Sequence, residues 1–442
     1  MGNLQTSESI QRLRTALHTK AKEEPKFRFY LLYDKIYRTD ILLHAYRSCK
    51  ANKGAAGVDG VDFEAIEQHG EEQWLGELAE RLKKKDYQPE AVKRVFIPKP
   101  NGKLRPLGIP TITDRVVQTA AMLVLEPIFE ADLQPEQYAY RPDRGAQDAV
   151  KAVHRLLNTG HGHVVDADLS GYFDSIPHAE LMKSIGRRIV DGNVLHLIKQ
   201  WLDAPVEEDD GHGRRRRTTT NKDTRRGTPQ GAPISPLLSN LYMRRFLLGW
   251  KTLGYARRLS AHIVNYADDF VICCQGQAHK AMAAMRGIID ILKLTVNEEK
   301  THLCHIPQER FDFLGYTFGR CYKRDSGRAY IGTKPSRKSV KRMMESITKE
   351  TDRRCTALDA EMVVGGLNRK LNGWANYFCL GPVSPAYRAI NTHVTRRLRR
   401  WLCKKHKVRG TGWSRYPDQY LHEQLGLVCL PQRTRSFPWA KV

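Results

Sequence analysis

The stretch HIVNYADDFVICC, residues 262–274, places the adjacent aspartates Asp268 and Asp269 between two apolar runs. This pattern predicts two short β-strands joined by a tight turn that presents both carboxylates. A second β-rich run, HVVDADL at 163–169, brings a third aspartate, Asp168, to its end. Carboxylates crowded onto apolar strands repel one another and resist burial unless a divalent cation neutralises them. An Asp-Asp pair on its own is explained as well by turn chemistry, because Asp is common in turns.

The composition points to a polyanionic partner. The 442 residues include 73 Lys+Arg and 48 Asp+Glu, which gives a formal net charge of +25. Such a charge favours binding to nucleic acid or to an anionic membrane surface. No apolar run approaches the roughly 18 residues that cross a bilayer, and the polar N-terminus has no apolar signal-peptide core. We therefore expect a soluble, intracellular protein.

Most of the excess charge lies in two parts of the chain. Residues 331–442 hold 23 Lys+Arg against 7 Asp+Glu, and the segment 211–226 holds seven basic residues and one acid. Apolar residues at helical spacing from Leu367 and from Tyr387 predict two amphipathic helices in the C-terminal part. The outer face of the second helix carries four arginines: Arg396, Arg397, Arg399 and Arg400.

These basic segments leave alternatives open. A basic helix with interleaved aromatic residues suits a nucleic-acid surface, although such a helix can also bind a membrane surface. The large core expected elsewhere in the chain favours nucleic acid. The arginine run at 214–217 is either a solvated charge run or a loop that contacts phosphate groups.

Further motifs accompany the aspartates in a definite order. DLSGYFD at 168–174 is followed by GTPQGAPISPLLSNLYM at 227–243 and then by YADD at 266–269. Together these motifs resemble the reverse transcriptases, and most specifically the reverse transcriptase–maturases encoded by bacterial group II introns. GGLNRKLNGWANYF at 365–378 resembles the maturase domain of that family. The resemblance runs from about residue 35 to residue 425.

The resemblance implies an α+β fold of the right-hand polymerase type, with fingers, an antiparallel-sheet palm and a helical thumb. It implies an N-terminal extension with RNA contacts at 1–75, reverse transcriptase fingers and palm at 76–330, and a basic thumb and maturase domain at 331–442. The chain reaches Val442 without the His-Asn-His pattern of the family's endonuclease domain. We therefore expect that it does not cleave the second DNA strand.

The resemblance also assigns roles to residues. Asp168, Asp268 and Asp269 match the catalytic, metal-binding aspartates, which hold two Mg²⁺ ions that Mn²⁺ can replace. Two such cations suit phosphoryl transfer, because one activates the attacking oxygen and the other stabilises the leaving oxygen. Phe173 matches the steric gate that selects deoxynucleotides, and Gln230 matches the glutamine that packs against the incoming nucleotide.

Other matched residues are basic. Lys99 and Arg105 match residues that grip the nucleotide triphosphate, which charge-assisted hydrogen bonds would neutralise. Lys300 matches a lysine that is a candidate proton donor to pyrophosphate. The predicted nucleic-acid contacts are Arg141, Arg214, Arg215, Arg216, Arg217, Arg396, Arg397, Arg399 and Arg400.

The implied function is RNA-directed DNA synthesis from a DNA 3′-hydroxyl, combined with assistance to intron splicing. The partners would be group II intron RNA, target or primer DNA and dNTPs, in the bacterial cytoplasm near the nucleoid. The sequence leaves the choice between monomer and homodimer open. It also leaves open a domesticated enzyme with a defence or CRISPR-linked role, and a non-catalytic RNA-binding splicing cofactor.

Overall fold

The computed structural model describes residues 6–98, 102, 104–209, 215–323 and 325–434. Lys99 and Arg214, two of the predicted contacts, lie outside the described residues. Five helices come before the first strand: α1 Glu8–Glu23, α2 Tyr33–Ile36, α3 Thr39–Ala51, α4 Phe63–His69 and α5 Glu71–Lys84. Two breaks separate these helices: a segment that contains Pro25 lies before α2, and Gly70, whose φ is 102°, lies between α4 and α5.

The middle of the chain alternates strands and helices. Its first elements are β1 Val92–Pro98, β2 Leu104–Ile109, α6 Ile112–Glu130, α7 Ala146–Asn158, β3 His163–Asp168, α8 Tyr172–Ser175, α9 His178–Gly186, α10 Gly192–Asp203, β4 Val206–Asp209 and β5 Arg215–Thr218. Its next elements are α11 Thr220–Thr224, α12 Ser235–Thr252, α13 Tyr255–Arg258, β6 Ala261–Tyr266, β7 Asp269–Cys274, α14 Ala278–Ile291 and β8 His302–His305.

The C-terminal part is mainly helical. It contains β9 Phe311–Phe313, β10 Tyr316–Tyr322, β11 Ala329–Pro335, α15 Arg337–Glu350, α16 Ala360–Tyr377, α17 Ser384–Lys405 and α18 Leu430–Arg433, with a 3₁₀ turn at Arg353–Cys355 and a π-helical turn at Tyr420–Gln424. The two predicted amphipathic helices are confirmed as α16 and α17. Among the described residues, none of the helices has the length and apolarity that crossing a bilayer requires.

The described strands form three sheets. The palm sheet has the order β6-β7-β3-β8, and all of its pairs are antiparallel. The fingers sheet has the order β2-β1-β4-β5, in which β4 extends the β1–β2 hairpin by parallel pairing with β1. A smaller sheet, β11-β10-β9, leads from the palm to α15. These sheets and the helices around them confirm the predicted α+β class with an antiparallel palm.

Helix α6 lies at the centre of the fingers and palm. The Thr111 side chain caps its first turn by accepting a hydrogen bond from the Asp114 amide. The helix is buried on most sides, including the polar residues Asp114, Arg115 and Gln118 in its first two turns. Its neighbours include α1, α3 and α12, so the N-terminal helices share one hydrophobic core with the palm.

The thumb has a core of its own. Residues between Met343 and Leu430 form a separate hydrophobic cluster built from α15, α16, α17 and α18. A third cluster joins the palm sheet to the thumb, and it includes Phe318 from β10 and Phe378 after α16. The thumb is therefore an independently packed unit attached through an aromatic joint. The exact domain boundaries at 75 and 330 remain predictions.

Candidate active site

The palm sheet brings the three predicted aspartates together. Strands β3 and β7 pair so that Asp168 lies directly opposite Asp269. Asp268 occupies the turn between β6 and β7, beside Ala267, whose φ is 58°. The Asn265 side-chain amide donates to the Ala267 carbonyl at 2.8 Å and fixes this left-handed turn from within the core.

Asp168 is held by the segment that precedes β8. The Asn297 amide donates to Asp168 Oδ2 at 3.0 Å, and Lys300 Nζ donates to the same oxygen at 2.8 Å. The backbone N–H of Asn297 also donates a hydrogen bond to the backbone carbonyl of Asp168, at 2.8 Å. The hydrogen bond to Asp168 raises the pKa of Lys300, so the ammonium stays protonated beside the carboxylates.

Three carboxylates at this site, those of Asp269, Asp166 and Asp268, have raised pKa values. Desolvation by the surrounding protein, together with the nearby charges of Asp268 and Asp168, raises the pKa of Asp269 to about 7, although the residue as a whole is exposed. Burial likewise raises the pKa of Asp166, on the same strand as Asp168, to about 6. Burial raises the pKa of Asp268 as well, against the opposing charges of Arg105 and Lys300.

The donor set fits hard divalent cations. The site offers several carboxylate oxygens, which Mg²⁺ and Mn²⁺ prefer. The raised pKa values reflect burial first and the charges of neighbouring aspartates second, and a bound cation would favour the ionised carboxylates against both. Within the described part of the chain, no three His, Cys, Asp or Glu side chains already form a closed metal-ligand cluster. Instead, the positive charge at Asp168 is supplied by Lys300.

A cavity of about 900 Å³ lies between the fingers and the palm. Its wall includes Arg105 from β2, Tyr140, Phe173 from α8 and Gln230. Arg105 is close enough to Asp268 for its charge to lower the pKa of that carboxyl, so the cavity adjoins the aspartates. The structure thus brings three predicted nucleotide contacts to one cavity, with Lys300 at the neighbouring aspartate.

Gln230 is fixed at the junction of fingers and palm. Its side-chain amide donates to Asp174 Oδ2 at 3.1 Å, and its backbone carbonyl accepts a hydrogen bond from Gly108 on β2 at 2.6 Å. The carbonyl of the neighbouring Phe173 accepts from Thr228 at 2.7 Å. Asp174 therefore positions Gln230, a role that the sequence did not reveal.

The surroundings of Arg141 are inconsistent with its predicted role as a template contact. Its side chain is 5% exposed and forms a salt bridge with Glu130. Its guanidinium also donates to the carbonyls of Gln134 at 2.7 Å and Gln137 at 3.0 Å. These bonds occupy the group within the palm, so we correct its role to a structural one.

Two of the four arginines of α17 that were predicted to contact nucleic acid point inward, contrary to the expected basic outer face. Arg399 is 2% exposed, donates to the Tyr416 carbonyl and pairs with Asp418. Arg397 donates to the last carbonyls of α15, where a cation also suits the helix dipole. Only Arg396 and Arg400 of the four are exposed, because the helix carries its basic residues around more of its circumference than the spacing suggested.

The arginine run lies partly on a strand instead of in a loop. Arg217 pairs with Glu207 and Arg216 with Glu208, across β5 and β4. Arg215 belongs to the same strand, opposite Asp209. Acidic neighbours therefore offset part of the charge, although Arg216 and Arg217 remain exposed, and their contact with nucleic acid stays a prediction.

Two site residues were missed by sequence reasoning. Tyr140 lines the cavity with a φ of 55°, and its neighbour in the motif YAYRPDR, Arg141, was chosen instead. Asn297 holds Asp168 from the segment LTVNEEKTHL. The sequence contained a clue to this residue, because Asn297 lies three positions before Lys300 and directly after the strand-like run LTV.

Comparison with known proteins agrees with this geometry. The sequence model of the family "Reverse transcriptase (RNA-dependent DNA polymerase)" matches residues 97–318. That of the "Group II intron, maturase-specific domain" matches residues 340–418. The chain therefore belongs to the reverse transcriptase family, in the group that carries the maturase domain of group II introns, and the resemblance read from the motifs is confirmed.

Individual relatives give the same result. The protein YkfC of Escherichia coli is 33% identical over 370 residues, which cover 75% of this chain and 93% of that protein. The group II intron-encoded protein LtrA of Lactococcus lactis is 35% identical over 350 residues, which cover 65% of this chain and 56% of LtrA. The match thus spans about half the length of LtrA. A telomerase structure from Candida albicans matches with a TM-score of 0.41 and 12% identity, over 81% of this chain and 70% of that one. This structural similarity is too low to support a conclusion.

Proposed function

We propose that the protein is an RNA-directed DNA polymerase that also acts as a maturase for a group II intron. One observation carries the polymerase activity: Asp168 lies opposite Asp269, with Asp268 in the adjoining turn. This acidic cluster adjoins a cavity lined by Phe173 and Gln230. Family membership supports RNA as template and dNTPs as substrates.

The protein side chains have separate tasks in this reaction. The three aspartates would hold two Mg²⁺ ions, which supply Lewis-acid stabilisation to the attacking and leaving oxygens. Phe173 would press against the sugar and exclude a 2′-hydroxyl. Arg105 and Lys300 would place positive charge where the triphosphate binds, and preorganised charges of this kind stabilise a transition state.

The maturase role is supported by the thumb. Residues 340–418 match the maturase-specific domain, and the exposed Arg396 and Arg400 project from α17 one helical turn apart. Exposed cations spaced in this way suit the phosphate backbone of RNA. We propose that the thumb binds intron RNA and that the cytoplasm is the site of action.

Replacing Asp268 tests the polymerase proposal. Asp268→Asn should abolish primer extension on an RNA template with either Mg²⁺ or Mn²⁺, while RNA binding stays near the wild-type level. Asp290→Asn, an exposed aspartate on α14, is the matched control and should extend normally. Extension by Asp268→Asn would overturn the site assignment. A wild-type protein that binds intron RNA but never extends a primer would instead favour the non-catalytic splicing cofactor.

A further inference from the structure

A second recess, of about 710 Å³, lies outside the candidate active site and shares no lining residue with its cavity. It forms where the segment after α1 meets the end of α9 and the side of α12. Six cationic residues line it: Lys26, Arg28, Lys183, Arg187, Arg188 and Arg244. Among the described lining residues, Asp132 is the single acid.

The floor of the recess is rigid. Arg188 is 3% exposed, and its Nη1 donates to the carbonyls of Glu24 at 2.9 Å and Phe27 at 3.0 Å. Its Nη2 donates to the Ala21 carbonyl, at the end of α1. Arg28 in turn donates to the Gly186 carbonyl at 2.8 Å. These bonds tie the chain after α1 to the palm and fix the positions of Arg28 and Arg188.

The charges in the recess are not balanced. Asp132 pairs with Arg188 at 3.0 Å, and its backbone carbonyl accepts a hydrogen bond from Arg244 at 2.7 Å. Burial, together with the positive charges of Arg187 and Arg188, lowers the pKa of Arg244. Glu180, an acid on the same helix as Lys183, is shared among Lys183, Arg245 and Lys293. The remaining excess is positive, and an anion would relieve its repulsion.

We propose that this recess binds phosphate groups of a folded RNA. Guanidinium groups are the side chains best suited to phosphate, because they donate in pairs and stay charged. None of the described residues that line the recess is aromatic, so they offer no stacking platform of the kind that single-stranded bases require, and the phosphate backbone is the fitting ligand. Since the recess is separate from the cavity, an RNA can remain anchored there during DNA synthesis. The inference rests on the proposed function only for the choice of RNA as partner.

Removing two exposed cations tests the proposal. The Lys26→Gln/Arg187→Gln double variant changes side chains on the surface and leaves the Arg188 floor intact. For a labelled RNA hairpin of mixed sequence, we expect about a tenfold loss of affinity at low salt. The slope of log K against log salt should fall by about one to two, since each lost phosphate contact removes roughly 0.9. The control is Arg257→Gln/Lys280→Gln, an equal charge change at exposed sites on α13 and α14 that do not line the recess.

The outcomes separate this site from the polymerase site. Primer extension at saturating template should be equal in the double variant and the wild type. A double variant that binds the hairpin as tightly as the control would overturn the proposal. Inorganic phosphate, added at matched ionic strength, is the second probe. If phosphate raises the melting temperature of the wild type more than that of the double variant, while the two proteins bind the hairpin equally well, then the recess binds small anions. The RNA proposal would then fail. A wild type that binds the hairpin through the recess but extends no primer would refute the polymerase proposal alone.

Discussion

At the scale of residues, the site divides into side chains that sequence could identify and side chains that it could not. Asp168, Asp268 and Asp269 were identifiable because strand patterns and motif order place them, and the palm register brings them together. Arg141 and Arg399 could not be told from surface cations. Their partners, Glu130 and Asp418, are 11 and 19 residues away along the chain, and only the folded structure shows which cations are buried.

The proposed gate role of Phe173 predicts an effect on the sugar preference. Its ring is 9% exposed at the wall of the cavity, so Phe173→Ala should open space beside the sugar. We expect ribonucleotide incorporation to rise relative to deoxynucleotide incorporation, measured as the ratio of kcat/KM for a ribonucleotide and its deoxy counterpart. Phe173→Tyr, which keeps the ring, serves as the control. An unchanged ratio in Phe173→Ala would remove the gate role.

Asp174 is expected to act through Gln230. Asp174→Ala removes the acceptor of the 3.1 Å hydrogen bond that holds the Gln230 amide. Because misplacing a binding group by about 1 Å can cost up to about 100-fold in rate, kcat/KM for dNTPs should fall, mainly through a higher KM. Asp174→Asn retains an acceptor and should rescue most of the loss. Equal defects in the two variants would show that the carboxylate charge, and not the positioning of Gln230, is what matters.

At the scale of elements, strands and amphipathic helices were predicted well because each has its own periodicity. The interruptions were not, since the break at Pro25 and the turn at Gly70 are local events within one apolar pattern. The pairing of β4 with β1 could not be predicted either, because Val92 and Val206 meet across more than a hundred residues. Through this pairing β4 joins the fingers sheet together with its neighbour β5, which contains Arg215, Arg216 and Arg217.

Substitutions on helix α17 can test the stability of the thumb and its proposed RNA binding independently. Arg399→Ala removes a buried guanidinium that contacts Asp418 and stacks on Trp413 at 3.7 Å. We expect the free energy of unfolding of the thumb to fall by about 2–3 kcal/mol, typical of lost charge-assisted hydrogen bonds, as measured by chemical denaturation. Arg396→Ala, at an exposed position three residues earlier, should leave stability unchanged and weaken RNA binding. The opposite pattern would mean that the face of α17 has been assigned incorrectly.

At the scale of the whole molecule, two separately packed cores meet at the aromatic joint between palm and thumb. The Tyr316 hydroxyl donates to the Tyr377 carbonyl at 2.5 Å, and the Tyr377 hydroxyl donates to the Leu314 carbonyl at 2.9 Å. The rings of Tyr316 and Phe378 lie 5.1 Å apart between centroids. The sequence showed two basic and aromatic helices but not this reciprocal bonding, which depends on how the β9–β10 turn meets the end of α16.

The neutrality of this joint has a practical consequence. Salt weakens contacts between cations and phosphate steeply, but it does not weaken apolar packing or hydrogen bonds between uncharged groups in the same way. Concentrated salt should therefore strip co-purifying nucleic acid from the protein while thumb and palm stay joined. After a wash in concentrated salt and a return to dilute buffer, the protein should therefore keep the same spacing between palm and thumb.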